Sequence, residues 1–215
     1  MVSSLWLYTG LIALVGLERL VELRLSKRNA EWAFARGGQE FGLPHYRFMT
    51  LFHTAFLIAC VVEPWLLSRP FSPWGYLFLV LAVAAQGLRY WAITTLGPRW
   101  NTRVIVLPEA EPVTGGPYRF IRHPNYVAVV LELLVLPLVH GAWITAVVFT
   151  VINALLLRVR VRVEEEALGS RYASSFANTP RLVPGRPSTS LGVNGEARSS
   201  ESESSRSSRA ESRDG

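Results

Sequence analysis

Cysteine is almost missing from this chain. Cys60 is the only one and lies in an apolar run, which excludes an internal disulfide and a cysteine-based zinc cluster. The four histidines, His45, His53, His123 and His140, lack metal-ligand spacing such as i and i+4 on a helix, so no structural or catalytic metal is expected. The first apolar run has no basic segment ahead of it and no small-residue cleavage site before a soluble domain, so no removable signal peptide is expected. A basic face is absent too. Although the net charge is +6, the basic residues are scattered between apolar runs, which fits anionic lipid headgroups better than nucleic acid. From residue 188 onward Ser, Arg and Glu dominate without an apolar pattern, and 188–215 is expected to be a disordered tail.

Long apolar runs, in contrast, are abundant. Half of the 215 residues are hydrophobic and seven are Trp, the composition of a small polytopic membrane protein. Spans are expected over 3–25, 48–67, 74–96, 126–139 and 142–157. The fourth holds fourteen residues, roughly 21 Å as a helix against a hydrocarbon core of about 30 Å, and the turn His140-Gly141 makes the last two a tight helical hairpin. Loops 26–47 and 97–125 carry four basic residues each, the 68–73 link one and the 140–141 turn none. The positive-inside rule puts both basic loops and the C-terminus in the cytoplasm and the N-terminus outside. The expected fold is an all-α polytopic bundle of about five transmembrane helices. Its expected units are an N-terminal set of three helices over 1–96, a core over 97–187 and the tail.

The densest chemistry lies in Gly115-Gly116-Pro117-Tyr118-Arg119-Phe120-Ile121-Arg122-His123-Pro124-Asn125-Tyr126. Each proline fixes its own φ and disfavours helix at the residue before, so Gly116 and His123 are expected to be extended, with Pro124 opening a helix capped by His123. After the last span, Arg158 to Leu168 alternates like a strand. We read it as helix, because it continues an apolar helical run and a strand there has no partner. If the hairpin turns back, the motif loop and 158–172 share one side, and Tyr118, Arg122, His123 and Tyr126 face Glu164, Glu165 and Tyr172. Such a set suits a ligand with carboxylate, amine, ribose and cation: arginine pairs with the carboxylate, glutamate accepts from amine or hydroxyls, and aromatic faces tolerate a sulfonium.

Arg122-His123-Pro124-Asn125-Tyr126, the apolar hairpin behind it and the arginine-rich run into Glu164-Glu165-Glu166-Ala167-Leu168 resemble the isoprenylcysteine carboxyl methyltransferase family, with phospholipid methyltransferases as wider relatives. The resemblance spans about 90–184, including Leu96-Gly97-Pro98-Arg99-Trp100 and Pro180-Arg181-Leu182-Val183-Pro184. Ser26-Lys27-Arg28-Asn29, and His45-Tyr46 before His53, resemble a bacterial subgroup, some of whose members methylate alkylated polyketides such as alkylpyrones or alkylresorcinols. The resemblance implies a membrane-embedded, S-adenosyl-L-methionine-dependent O-methyltransferase of the bacterial cytoplasmic membrane, with a cytoplasmic cofactor pocket and a lipophilic acceptor entering from the bilayer. It implies cofactor binding by Gly116, Pro117, Tyr118, Arg122, His123, Pro124, Tyr126, Glu164 and Glu165, and catalytic roles for His123, Arg122 and Glu165. One departure stands out: the family often has a Phe-Gly pair between the glutamates and a later Tyr, whereas this chain runs Leu168-Gly169-Ser170-Arg171-Tyr172, which puts the role of Tyr172 in question. Prenylated thiol-acid, polyketide hydroxyl and phospholipid amine all remain open as acceptors.

Other polar residues inside the spans are expected to serve structure. Glu132 must face the bundle, pair or stay protonated, and an Arg89–Glu132 pair would satisfy both partners. His53 is read as a satisfied interior histidine. The rival reading, a small transporter or channel subunit, would use Glu132, Arg89 and Glu63 as an intramembrane path.

Overall fold

A computed structural model describes residues 2–108 and 110–182, without the side chains of 43–47; the expected tail and the His45 side chain lie outside the described residues. Five helices account for most of it: α1 (Val2–Phe34), α2 (Leu43–Leu66), α3 (Trp74–Leu96), α4 (Pro124–Leu138) and α5 (Trp143–Ser175). Four of them are long and apolar enough to cross a bilayer, while α4, at 15 residues or about 22 Å, is a shorter apolar helix. Large apolar side chains such as Leu7, Leu14, Leu51, Val80 and Val147 point outward from the bundle. In water such a surface would aggregate; facing lipid it is the expected exterior, since helices satisfy their own backbone groups and need only an apolar coat. The chain is an integral membrane helical bundle.

The interior holds Tyr8 and Ile12 of α1, Phe52, Phe56 and Cys60 of α2, and Val129, Leu133 and Leu136 of α4. The Tyr8 hydroxyl donates to the Leu136 carbonyl at 3.2 Å, locking α1 to the far end of α4. At that end Glu63 of α2 accepts from the Thr145 amide (2.7 Å) and hydroxyl (2.8 Å) and from the Ile144 amide (3.2 Å). A carboxylate thus covers the first turn of α5, where amides lack helical partners. His140 is buried there as well, its Nε2 3.2 Å from the Ser4 hydroxyl and its Nδ1 without a partner among the described residues.

Midway through the bundle lies an ion network. Arg89 of α3 grips Glu22 of α1 through two hydrogen bonds of 2.7 and 2.8 Å and reaches Glu132 of α4 at 3.2 Å. Arg19 joins Glu22 at 2.7 Å and Glu132 at 3.4 Å. The expected Arg89–Glu132 pair is present, within a larger cluster that joins three helices.

Two local readings are corrected. Residues 26–34 are not loop: α1 runs on to Phe34, because the polar Ser26 and Asn29 are buried against 97–102 and find partners there. A short antiparallel ribbon, β1 (Gln39–Phe41) with β2 (Val104–Val106), follows; its second strand is wholly β-branched, and Arg103 forms an ion pair with Glu40 beside it. Gly116 is not extended but has φ +55°, a conformation that suits glycine, and a β-carbon there would meet the Thr95 hydroxyl oxygen at 2.4 Å. The helical reading of 158–168 holds, with those residues inside α5.

Candidate active site

The loop between α3 and α4 is built to hold still. Gly116–Arg119 forms a 3₁₀ turn, Pro124 occupies the first turn of α4, and His123 is its cap residue with φ −126° and ψ 62°. Backbone amides of Arg122 and His123 donate to the carbonyls of Pro180 (2.9 Å) and Arg181 (3.2 Å), so the chain after α5 is laid along the motif. The Arg122 Nε adds a bond of 2.7 Å to the Thr179 carbonyl.

From the other side, α5 leaves the bundle at Arg158 and brings its glutamates to this loop. Glu164 bonds the Tyr126 hydroxyl, which also accepts from Arg160 Nε at 2.8 Å. Glu165 meets His123 Nε2 at 3.1 Å and Arg181 at 2.6 Å, with Arg122 at 3.8 Å. Burial alone would raise the Glu165 carboxyl, but hydrogen bonds from His123 and Arg181 outweigh it and hold it below the ordinary value. The His123 ring stacks on Tyr126 at 5.2 Å and lies 6.3 Å from Tyr172. Gly169, with φ 69° and ψ −163°, kinks α5 there and turns Tyr172 inward, where it is buried beside Tyr118, Phe176 and Ala92. Burial, with Glu164 nearby, raises the Tyr118 and Tyr172 phenols above their ordinary value, so both keep their protons.

Between these parts lies a cavity of about 270 Å³, into which Tyr118, Arg122, His123, Tyr126, Glu164 and Tyr172 all project. Gly116, Pro117 and Pro124 do not line it and shape the backbone instead. Glu165 does not line it either and sits behind His123. Several lining residues escaped sequence reasoning: Asn29 of α1, Trp100 and Asn101 of the loop after α3, and Asn125 of α4. Asn29 donates to the Trp100 carbonyl at 2.8 Å, Ser26 bonds Asn101 at 2.8 Å, and Asn101 returns a bond to the Ser26 carbonyl at 3.0 Å. The signal was the polar pair Ser26 and Asn29 at helical spacing, one turn apart on α1.

A second cavity, of about 170 Å³, lies among the helices and meets the first at Trp100, Asn101, Asn125 and Tyr126. Apolar side chains of α1, α2 and α4 and the Arg19–Glu22–Arg89–Glu132 network enclose it. His53 lines this cavity and has no hydrogen-bond partner among the described residues, with Phe52 edge-on at 5.5 Å, so it is not the satisfied interior histidine that the sequence led us to expect.

The arrangement is a polar chamber joined to an apolar one inside the bundle, which suits transfer of a small group from a polar donor to a membrane-dissolved acceptor. Comparison with known proteins agrees. Residues 78–170 match the isoprenylcysteine carboxyl methyltransferase (ICMT) family. "Uncharacterized protein YpbQ" of Bacillus subtilis is 37% identical over 158 residues, covering 74% of this chain and 94% of that protein. An uncharacterized protein of Haemophilus influenzae is 27% identical over 158 residues, covering 73% of this chain and 92% of its own length. This chain belongs to the isoprenylcysteine carboxyl methyltransferase family and is a membrane-embedded methyltransferase.

Proposed function

We propose that the chain uses S-adenosyl-L-methionine to methylate a carboxylate or hydroxyl of a lipophilic acceptor that arrives through the bilayer. The observation that carries this reading is the meeting of the motif loop and the α5 glutamates around one cavity, with an apolar cavity adjoining it. The donor set fits the cofactor: Arg122 for its carboxylate, Glu164 for an amine or ribose hydroxyl, and the Tyr118 and Tyr172 rings for the cationic centre. When bound, the cofactor supplies an electrophilic methyl group on a sulfonium. His123 and Tyr126 form the floor of the polar chamber, and Glu165 fixes the His123 ring from behind. Transfer needs the acceptor lone pair aligned with the methyl, so the residues contribute mainly by positioning and by excluding water. For an acceptor that must lose a proton, His123 is the candidate base in the wall.

We assign the polar chamber to the cytoplasm on the strength of the basic loops, and residues 97–187 to the catalytic unit. The rival transporter reading loses its path, since Glu63 is spent on the start of α5 and Arg89 and Glu132 on each other.

The test is affinity for S-adenosylhomocysteine in one detergent. Glu164→Gln is expected to weaken binding by about 1.5–3 kcal/mol, tenfold or more, as loss of a charged hydrogen-bond partner. His123→Ala should abolish methyl transfer in a folded protein, and Glu165→Gln should weaken binding less than Glu164→Gln. Arg119 is exposed and lies over Phe120, so Arg119→Ala serves as the mild control. Four variants indistinguishable from the unmodified chain would refute the site.

A further inference from the structure

Three arginines alternate where α5 leaves the bundle, and the helix sorts them. Arg158 and Arg162 lie four residues apart on one face and are exposed, whereas Arg160, rotated about 200° from each, turns inward and lines the second cavity. Its guanidinium uses one edge for two acceptors: Nε donates to the Tyr126 hydroxyl at 2.8 Å and Nη2 to the Thr102 carbonyl at 2.6 Å. Such a fork of parallel N–H groups is a geometry that arginine supplies and lysine does not. The Thr102 anchor is itself fixed. Its amide donates to Ser26 Oγ at 3.1 Å and the two hydroxyls lie 2.7 Å apart, so the carbonyl that holds Arg160 is tied to α1.

Donor counting gives this contact a direction. A guanidinium only donates, so the Tyr126 oxygen accepts from Arg160 and its single proton is left for Glu164 Oε2. The Tyr126 ring cannot swing away easily, because it stacks on His123 at 5.2 Å with the planes 17° apart. Glu164 follows Arg160 by four residues, so the phenol bridges an ion pair along one helix face. The bridge also crosses from one cavity to the other: Arg160 and Thr102 line the second, Glu164 the first, and Tyr126 both. A glutamate held through one carboxylate oxygen has already lost much of its rotamer freedom, and a ligand that takes the other oxygen has less ordering left to bring about.

On the reading that Glu164 binds the cofactor, we infer that Arg160 is a positioning residue for that carboxylate. It acts from the neighbouring cavity, through the Tyr126 hydroxyl, and sets Glu164 in place before the cofactor arrives. Arg160 does not line the polar cavity, so its influence on cofactor affinity passes through Tyr126.

The test is a double-substitution cycle on the full chain in one detergent, read by S-adenosylhomocysteine affinity. Arg160→Met, which keeps an apolar stem without donors, and Tyr126→Phe, which keeps the ring without the hydroxyl, are each expected to weaken binding about tenfold. The double variant should be no more than about threefold weaker than either single one, since both changes break the same bridge. Arg160→Lys, with its charge and one donor retained, runs through the same cycle in case the methionine variant does not fold; its loss of about threefold should likewise vanish beside Tyr126→Phe. A second measurement needs no ligand: in a chain carrying tyrosine isotopically labelled at Cζ, the Tyr126 resonance, identified by its loss in Tyr126→Phe, should move in Arg160→Met and in Glu164→Gln alike. Losses that multiply to about a hundredfold assign Arg160 to general charge or folding and overturn the proposal. So does an Arg160→Met chain that binds as tightly as the parent, or a Tyr126 resonance unmoved by either change. A parent that takes up no S-adenosylhomocysteine refutes the cofactor reading by itself, and the tyrosine spectra then decide whether the bridge sets Glu164.

Discussion

Glu165 illustrates a residue whose role depends on what it touches rather than on the cavity it faces. It holds His123 Nε2 from behind and ties in Arg181, and its carboxyl is held below the ordinary value of 4.5. A carboxyl depressed by folding contributes stability above its unfolded value and loses it as pH falls through the folded one. The melting temperature of the detergent-solubilised chain should therefore decline as pH drops below about 4.5, and Glu165→Gln should flatten that limb of the curve. An unchanged pH profile in the variant would rule out this contribution. Sequence reading reached Glu165 and His123 because both lie in short motifs. It missed Arg181 as their partner because that contact depends on the chain after α5 folding back 58 residues to His123, which no local pattern records. Gly116 was misread for a related reason: the rule for residues before proline is steric, and glycine has the freedom to escape it.

At the scale of elements, hydropathy located the spans well but said little about where a helix stops. α1 continues through Ser26 and Asn29 because the 97–102 loop satisfies them, so a polar stretch that resembled a loop is a helical wall of the site. The alternating Arg158–Val163 stretch was legible as helix only by continuity with the span before it. The kink at Gly169 offers a direct test. Its φ and ψ lie in a region reserved almost wholly for glycine, so Gly169→Ala is expected to cost about 1–3 kcal/mol and to swing Tyr172 from His123. Thermal denaturation in detergent and S-adenosylhomocysteine titration should register both effects. A variant as stable and as tight-binding as the parent would show that the kink carries no load.

For the whole molecule, the ion network is the costliest feature to disturb. Removing Arg89 leaves Glu22 and Glu132 with Arg19 alone, so Arg89→Leu is expected to destabilise by about 3–5 kcal/mol, with loss of folded protein in size-exclusion chromatography. Adding Glu132→Leu should recover part of that loss, since Arg19 then answers only Glu18 and Glu22. The described part of the site draws on residues between 29 and 182, so deleting 188–215 is expected to leave S-adenosylhomocysteine affinity unchanged, as a titration of the shortened chain would reveal.

The same network bears on how the chain enters its membrane during synthesis. Arg19 sits within one turn of both Glu18 and Glu22 on α1, so its charge can enter lipid already paired before the rest exists. Arg89 and Glu132 belong to α3 and α4, and they neutralise each other once that pair of helices has been made. Each half of the polypeptide thus carries its own counterion through the insertion machinery. Docking of the halves then only exchanges partners, with Arg89 taking Glu22 and Arg19 sharing Glu132, so neither arginine is left without a carboxylate beside it.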